Sequence, residues 1–179
     1  MPRFIPFQGK HPQVHANTYV AAGAKLIGDI VLAEGASVWY NCVLRADVNA
    51  VRIGRFTNIQ DNSTIHEESP QASRNDSGNP TMLGDYVTVG HGCILHACTI
   101  EDYCLIGMGA IILDGAVIGK GSIVGAGAVV TKGTVIPPFS VVLGTPGKVV
   151  KTLPEESLQE RLEHAEHYWQ LAQSHKEQI

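Results

Sequence analysis

The sequence predicts an all-β fold, a parallel β-helix of six-residue repeats followed by one α-helix. Three observations predict it. From Ile100 an apolar residue recurs every six positions, at Ile106, Ile112, Ile118, Val124, Val130, Ile136 and Val142. Glycine follows that residue at Gly84, Gly90, Gly107, Gly119 and Gly125, and a small residue sits four places on at Ala110, Ala116, Ser122, Ala128 and Thr134. After Thr152 this pattern stops and an apolar stripe at helical spacing begins. Alternation would mean ordinary strands and a 3.6-residue period helices. A period of six means a short strand plus a turn, with three such units making one triangular coil.

The frame extends upstream through Leu95, Val89 and Leu83, then Ile65, Ile59 and Ile53. Further back it runs less evenly through Arg45, Trp39, Ala33, Ile27, Val20 and Val14, with steps of eight and seven. Residues 67–82 break it with Pro70, Gly78 and Pro80 among polar residues, which predicts an excursion loop. The β-helix is expected over residues 1–152 and the helix over 153–179. Thr152-Leu153-Pro154-Glu155 reads as the helix start, with a capping box and proline in the first turn. Leu158, Leu162, Ala165, Trp169 and Ala172 would then bury one helix face along the flank of the coil.

Composition narrows the function classes. The chain has 179 residues and a net charge of −4 without a cluster of basic residues, so nucleic acid and anionic membrane are not expected partners. No apolar run is long enough to span a bilayer, and Met1-Pro2-Arg3-Phe4 lacks the apolar stretch of a secretion signal; a cytoplasmic setting is expected. Cys42, Cys93, Cys98 and Cys104 form no C-x-x-C pair and are expected to be small buried side chains.

The frame also places histidines. With the 67–82 loop replacing one corner, Arg45, Ile65 and Leu95 begin repeats on one face, and Ile59 and Val89 on another. His66 and His96 each follow their frame residue directly, so they stack on adjacent coils about 4.8 Å apart and can converge on one metal ion. His91, two places after Val89, belongs to a different face. It reaches that ion only from a second copy of the chain, and closing the relation into a ring gives a homotrimer with three shared sites. His164 and His167 read as a solvated helix face, while His11, His15 and His175 carry no signal.

These residues resemble the γ-class carbonic anhydrase family. The resemblance rests on Arg45-Ala46-Asp47, Asn58-Ile59-Gln60-Asp61, His66, Val89-Gly90-His91 and Leu95-His96, and it covers nearly the whole length. It implies a left-handed coil and a zinc ion on His66, His91 and His96, with His91 supplied by the neighbouring subunit. It further implies that Gln60 hydrogen-bonds the metal-bound water or substrate, and that Arg45, Asp47 and Asp61 form ion pairs across the subunit boundary. Tyr168 resembles a tyrosine that short homologues place near the metal; it could equally pack with Trp169 against the coil. Iron(II) or cobalt(II) would suit the same ligands.

Three neutral nitrogen ligands and an open position bring the pKa of bound water down to about 7. The implied reaction is therefore hydration of carbon dioxide to bicarbonate by a metal-bound hydroxide. The sequence departs from the family at Val48, where archetypal members carry a glutamate. It also lacks their loop acid in register; Glu67, Glu68 and Asp76 lie nearby and could export protons instead. Two other functions fit the same fold: an acyltransferase or acyl-CoA thioesterase, and a metal-stabilised trimeric scaffold without turnover.

Overall fold

A computed structural model describes residues 1–73 and 77–178. It is a parallel β-solenoid of about eight turns with one C-terminal helix. Its inward residues follow from a shape constraint: the triangular interior is one side chain deep, so each six-residue unit turns one aliphatic side chain inward. Leu44, Ile65, Leu95, Ile112 and Val130 stack on the first face, paired in parallel register. Ile53, Leu83, Ile100, Ile118 and Ile136 stack on the second. Val38, Ile59, Val89, Ile106, Val124 and Val142 stack on the third. All are buried in one continuous core.

The N-terminal part of the frame is shifted by one residue from the sequence expectation. Leu26, Leu32, Val38 and Leu44 point inward, not Ile27, Ala33, Trp39 and Arg45. The step is six without interruption from Val14 to Leu44, and the irregularity is a single nine-residue step from Leu44 to Ile53. That long step is the continuous strand Val43–Ile53, whose middle residues bend around a corner. The parallel strand Lys25–Leu32 bends with it through Gly28, at φ +80°; a side chain there would collide with the Ala46 carbonyl. Arg45 accordingly points outward, with 44% of its side chain exposed.

The excursion after His66 is closed at its base by an antiparallel bridge between Glu68 and Asn79. Lys132 holds the Glu68 carboxylate at 2.8 Å and lowers its pKa. Regular structure resumes at Thr81, two residues earlier than expected. Asp76 lies outside the described residues.

At the C-terminal end, Lys148–Thr152 folds back antiparallel on Ser140–Leu143. Thr152 is therefore a strand residue, and the predicted capping box does not form. A 3-10 turn, Glu155–Ser157, leads into helix α1, Leu158–Lys176, and neither start has a side-chain cap. Helix α1 lies across the third face, burying Ala165, Ala172 and, unexpectedly, Arg161. Its end is tied down by His175, whose Nδ1 lies 2.8 Å from the Tyr40 hydroxyl and whose ring meets Trp39 edge-on.

The four cysteines are free and buried, and burial pushes their thiols up to about 11 at Cys42 and Cys93 and about 12 at Cys98 and Cys104. At pH 8 only about one thiol in a thousand or fewer is then ionised, so a thiol-specific reagent should label the folded protein only on the timescale of unfolding. Ile65→Ala, at the centre of the first face, is expected to cost about 2–5 kcal/mol in chemical denaturation. Val135→Ala, 69% exposed, should stay within about 0.5 kcal/mol.

Candidate functional site

The parallel pairing of Thr64–His66 with Ile94–His96 sets His66 directly beside His96. His66 Nδ1 lies 3.1 Å from His96 Nε2. The outward nitrogens meet carboxylates: His66 Nε2 is 3.1 Å from Asp47 Oδ1, and His96 Nδ1 is closely held by Asp114. Asp47 in turn receives Arg45 Nη1 on both oxygens, at 2.7 and 2.6 Å, and Asp114 lies 3.4 Å from Lys132 Nζ. Burial alone would raise the pKa of Asp47, but hydrogen bonds from Arg45 and His66 outweigh it and the net shift is downward. Arg45 and Asp47 thus pair within one chain.

Glu67 completes this half. Its side chain is fully buried, and Oε1 accepts the backbone N–H groups of Val48 and Asn49 at 2.9 and 3.1 Å, fixing the bend that carries Asp47. Among the described residues its Oε2 has no hydrogen-bond partner, and it lies 3.9 Å from His66 Nε2, so Asp47, His66 and Glu67 form a cluster of ligand-type atoms. A cavity of about 310 Å³ opens here, lined by Val48, His66, Glu67, Glu68, His96 and Asp114 among others.

His91 stands elsewhere, at the corner leaving the third face. It occupies the repeat position of Asp61 one coil below, and its Nδ1 lies 2.8 Å from Asp61 Oδ2. A second cavity of about 310 Å³ borders it, lined by Gln60, Thr88, His91, Leu105, Ile106, Met108, His164 and Tyr168. Gln60 is 4% exposed and its Nε2 donates to Asn58 Oδ1 at 3.2 Å. Tyr168 borders this cavity and also packs edge-on against Trp39, with ring centroids 5.6 Å apart; burial, then Asp61, raises its pKa. Trp169 packs instead on Phe56. One chain therefore carries two separate clusters, His66 with His96 and His91 with Gln60 and Tyr168, on different corners of the triangle.

Sequence reasoning missed Asp114 and His164. Asp114 had a signal: Ile112 stacks on Leu95, which brings Asp114 close to His96 on the next coil. His164 was expected to be solvated, but its Nδ1 lies 3.1 Å from Thr88 Oγ1 and it borders the second cavity.

Comparison with known proteins fits this geometry. The chain is 48% identical to the probable carbonic anhydrase of Methanocaldococcus jannaschii, over 90% of this chain and 96% of that one. The chain belongs to the γ-class carbonic anhydrase family. It also belongs to the family whose model is described as Dynactin subunit 5, which matches residues 13–174. Gamma carbonic anhydrase 1, mitochondrial, of Arabidopsis thaliana is 46% identical over 93% of this chain, which spans 60% of that protein's length. Among solved structures, that of a putative acetyltransferase from Bacillus cereus superposes with a TM-score of 0.91 at 38% identity, covering 99% of both chains. The solenoid is thus the left-handed hexapeptide-repeat β-helix. Among the described residues no helix is long and apolar enough to cross a membrane.

Burial, then the neighbouring His167, lowers the pKa of His164 below the ordinary 6.5. Keeping it neutral stabilises the fold above pH 6.5, and that contribution fades as pH falls through the lowered folded value. Imidazole proton shifts followed by NMR should show His164 titrating below 6.5, and His164→Asn should flatten the loss of stability as pH falls below 6.5.

Proposed function

We propose that this protein is a metal-dependent carbonic anhydrase, hydrating carbon dioxide to bicarbonate at sites shared between the subunits of a homotrimer. One observation carries the reading. Each of His66, His91 and His96 has one ring nitrogen held by an aspartate, and the other nitrogens of His66 and His96 face each other 3.1 Å apart. Two ligands of a tetrahedral ion at about 2.0–2.1 Å lie about 3.3 Å apart, so the donor spacing fits zinc, and the aspartates are the outer partners that fix ligand orientation. Iron(II) or cobalt(II) fits the same donors. When bound, the ion supplies a hydroxide nucleophile at neutral pH.

The chain's own residues have separable tasks. Asp47, Asp61 and Asp114 hold the imidazoles in the tautomers that leave the inner nitrogens free. Gln60, almost fully buried at the edge of its cavity, orients the nucleophile or substrate by hydrogen bonding. Tyr168, Ile106 and Met108 form a largely apolar wall that suits an uncharged substrate. His91 completes the set across the subunit boundary, because the corner it occupies is not that of His66 and His96. Arg45 and Asp47 face that boundary beside His66. The free buried cysteines suit a reducing compartment, consistent with a cytoplasmic setting.

Acyl transfer is the second reading, favoured by the close superposition on the putative acetyltransferase of Bacillus cereus. It should need at most one of the three histidines. Stopped-flow hydration on protein purified without oxygen and loaded with zinc or iron separates the two. The expected result is one ion per chain and turnover well above background, with both lost in His66→Ala, His91→Ala and His96→Ala. Background turnover at full occupancy would sink the proposal, and sedimentation of a monomer would sink the shared site.

Asp114→Ala should lower metal affinity about 10–100-fold while leaving the solenoid's circular dichroism unchanged, measured by competition with a chelator.

A further inference from the structure

Beneath helix α1 the third face carries a column of polar side chains where its upper coils carry apolar ones. Ser37, Asn58 and Thr88 stack in register, and the column continues as Leu105 and Ile123. Asn58 is 1% and Thr88 4% exposed, so their polar atoms must find partners inside the protein. They find them in a single chain of bonds. Gln60 Nε2 donates to Asn58 Oδ1 at 3.2 Å, and Asn58 Nδ2 donates to Thr88 Oγ1 at 2.9 Å. Thr88 Oγ1 lies 3.1 Å from His164 Nδ1.

The direction of this chain turns on the tautomer of His164. The Thr88 oxygen accepts from Asn58, which leaves its single hydrogen to be donated. A neutral imidazole with its proton on Nε2 offers Nδ1 as the acceptor. Deprived of that acceptor, the chain can run the other way: Thr88 would donate to a flipped Asn58, whose amide nitrogen would then donate to Gln60 Oε1. In the direction that an Nε2–H tautomer sets, Gln60 keeps its carbonyl oxygen for the cavity; in the reversed one it would have only its amino group to offer.

We propose that His164 is a positioning residue which, through Thr88 and Asn58, holds the Gln60 side chain with its carbonyl oxygen presented to the cavity. The inference rests on the proposed hydration reaction for its catalytic consequence. An acceptor at this place takes a hydrogen bond from the O–H of the attacking hydroxide or of bicarbonate, and so selects the orientation in which the nucleophile's lone pair faces carbon. The geometry of the chain itself is independent of that reaction.

The test compares three variants in the full-length, metal-loaded protein. His164→Leu removes the acceptor, Thr88→Val cuts the chain, and His164→Asn places a carbonyl oxygen close to where Nδ1 stood. Loss of one such hydrogen bond predicts that kcat/KM for hydration falls about tenfold in the first two, with bound metal unchanged, and recovers to within about threefold in His164→Asn. Combining His164→Leu with Gln60→Ala should cost no more than Gln60→Ala alone. A second readout needs no turnover: nitrogen-15 NMR should show His164 as the Nε2–H tautomer, and the Gln60 side-chain amide should shift in Thr88→Val. An Nδ1–H tautomer, or an unmoved Gln60 amide in Thr88→Val, would overturn the inference even if hydration is robust. If the wild type shows no hydration at full occupancy, the reaction fails while these spectra still decide the positioning role.

Discussion

The constraint on which the rest depends is the in-register parallel pairing of successive coils. Because neighbouring strands lie about 4.8 Å apart with no stagger, a residue at one repeat position stands over its equivalent one coil away. Function is thereby arranged in columns. His66 and His96, thirty residues apart, become adjacent rings. Asp61 comes to lie beside His91, and Asn58 below Thr88. The same geometry stacks Phe56, Tyr86 and Tyr103 along one edge, with centroids 5.2 Å apart at each step. Irregular steps are absorbed at corners, in the bend from Leu44 to Ile53 and in the excursion after His66, so the columns stay in register on either side of them.

Where the interior pattern is unambiguous, the sequence reveals the fold almost completely. From Leu83 to Val142 every inward residue is legible, because the six-residue step holds with one short exception and glycine or a small residue at a fixed offset singles out one member of each apolar pair, as Gly119 does after Val117-Ile118. The N-terminal coils defeat the same reading for a physical reason. Leu26 and Ile27, Leu32 and Ala33, and Val38 and Trp39 are adjacent apolar pairs, so either member fits a six-residue frame. Trp39 is apolar because helix α1 covers it, not because it faces the core. The long bend from Leu44 to Ile53 then hides which choice is right. The error left the histidine positions intact, since they are counted from Ile65 and Leu95, but it wrongly made Arg45 an inward charge.

The helix explains the other misreadings. Its sequence has several charges, and His164 and Arg161 look solvated when the helix is considered alone. Their surroundings come from the third face, which only the tertiary fold supplies. Arg161 is 3% exposed and its Nη2 donates to Ser157 Oγ at 2.6 Å. Helix α1 also makes the cavity: without it Gln60, Thr88 and His91 would lie on an open sheet. Tyr168 packs on the coil through Trp39, apart from Trp169, while its other side borders the cavity.

The arrangement of charge around the histidines bears on why each cluster can remain ordered by itself. An imidazole bonded to a lone carboxylate is drawn towards the protonated, doubly donating form, which cannot bind a metal. Here Arg45 shares Asp47 and Lys132 shares Asp114, so part of each carboxylate's charge is already balanced. Each carboxylate orients its ring from outside, and His66 and His96 are left turned towards each other, Nδ1 of one 3.1 Å from Nε2 of the other. In the proposed trimer, the separation of His91 onto another corner means that this third ligand would come at the cost of assembly. Assembly and metal binding would then be coupled: whatever holds the subunits together would raise the affinity of the site, and the ion would in turn stabilise the trimer.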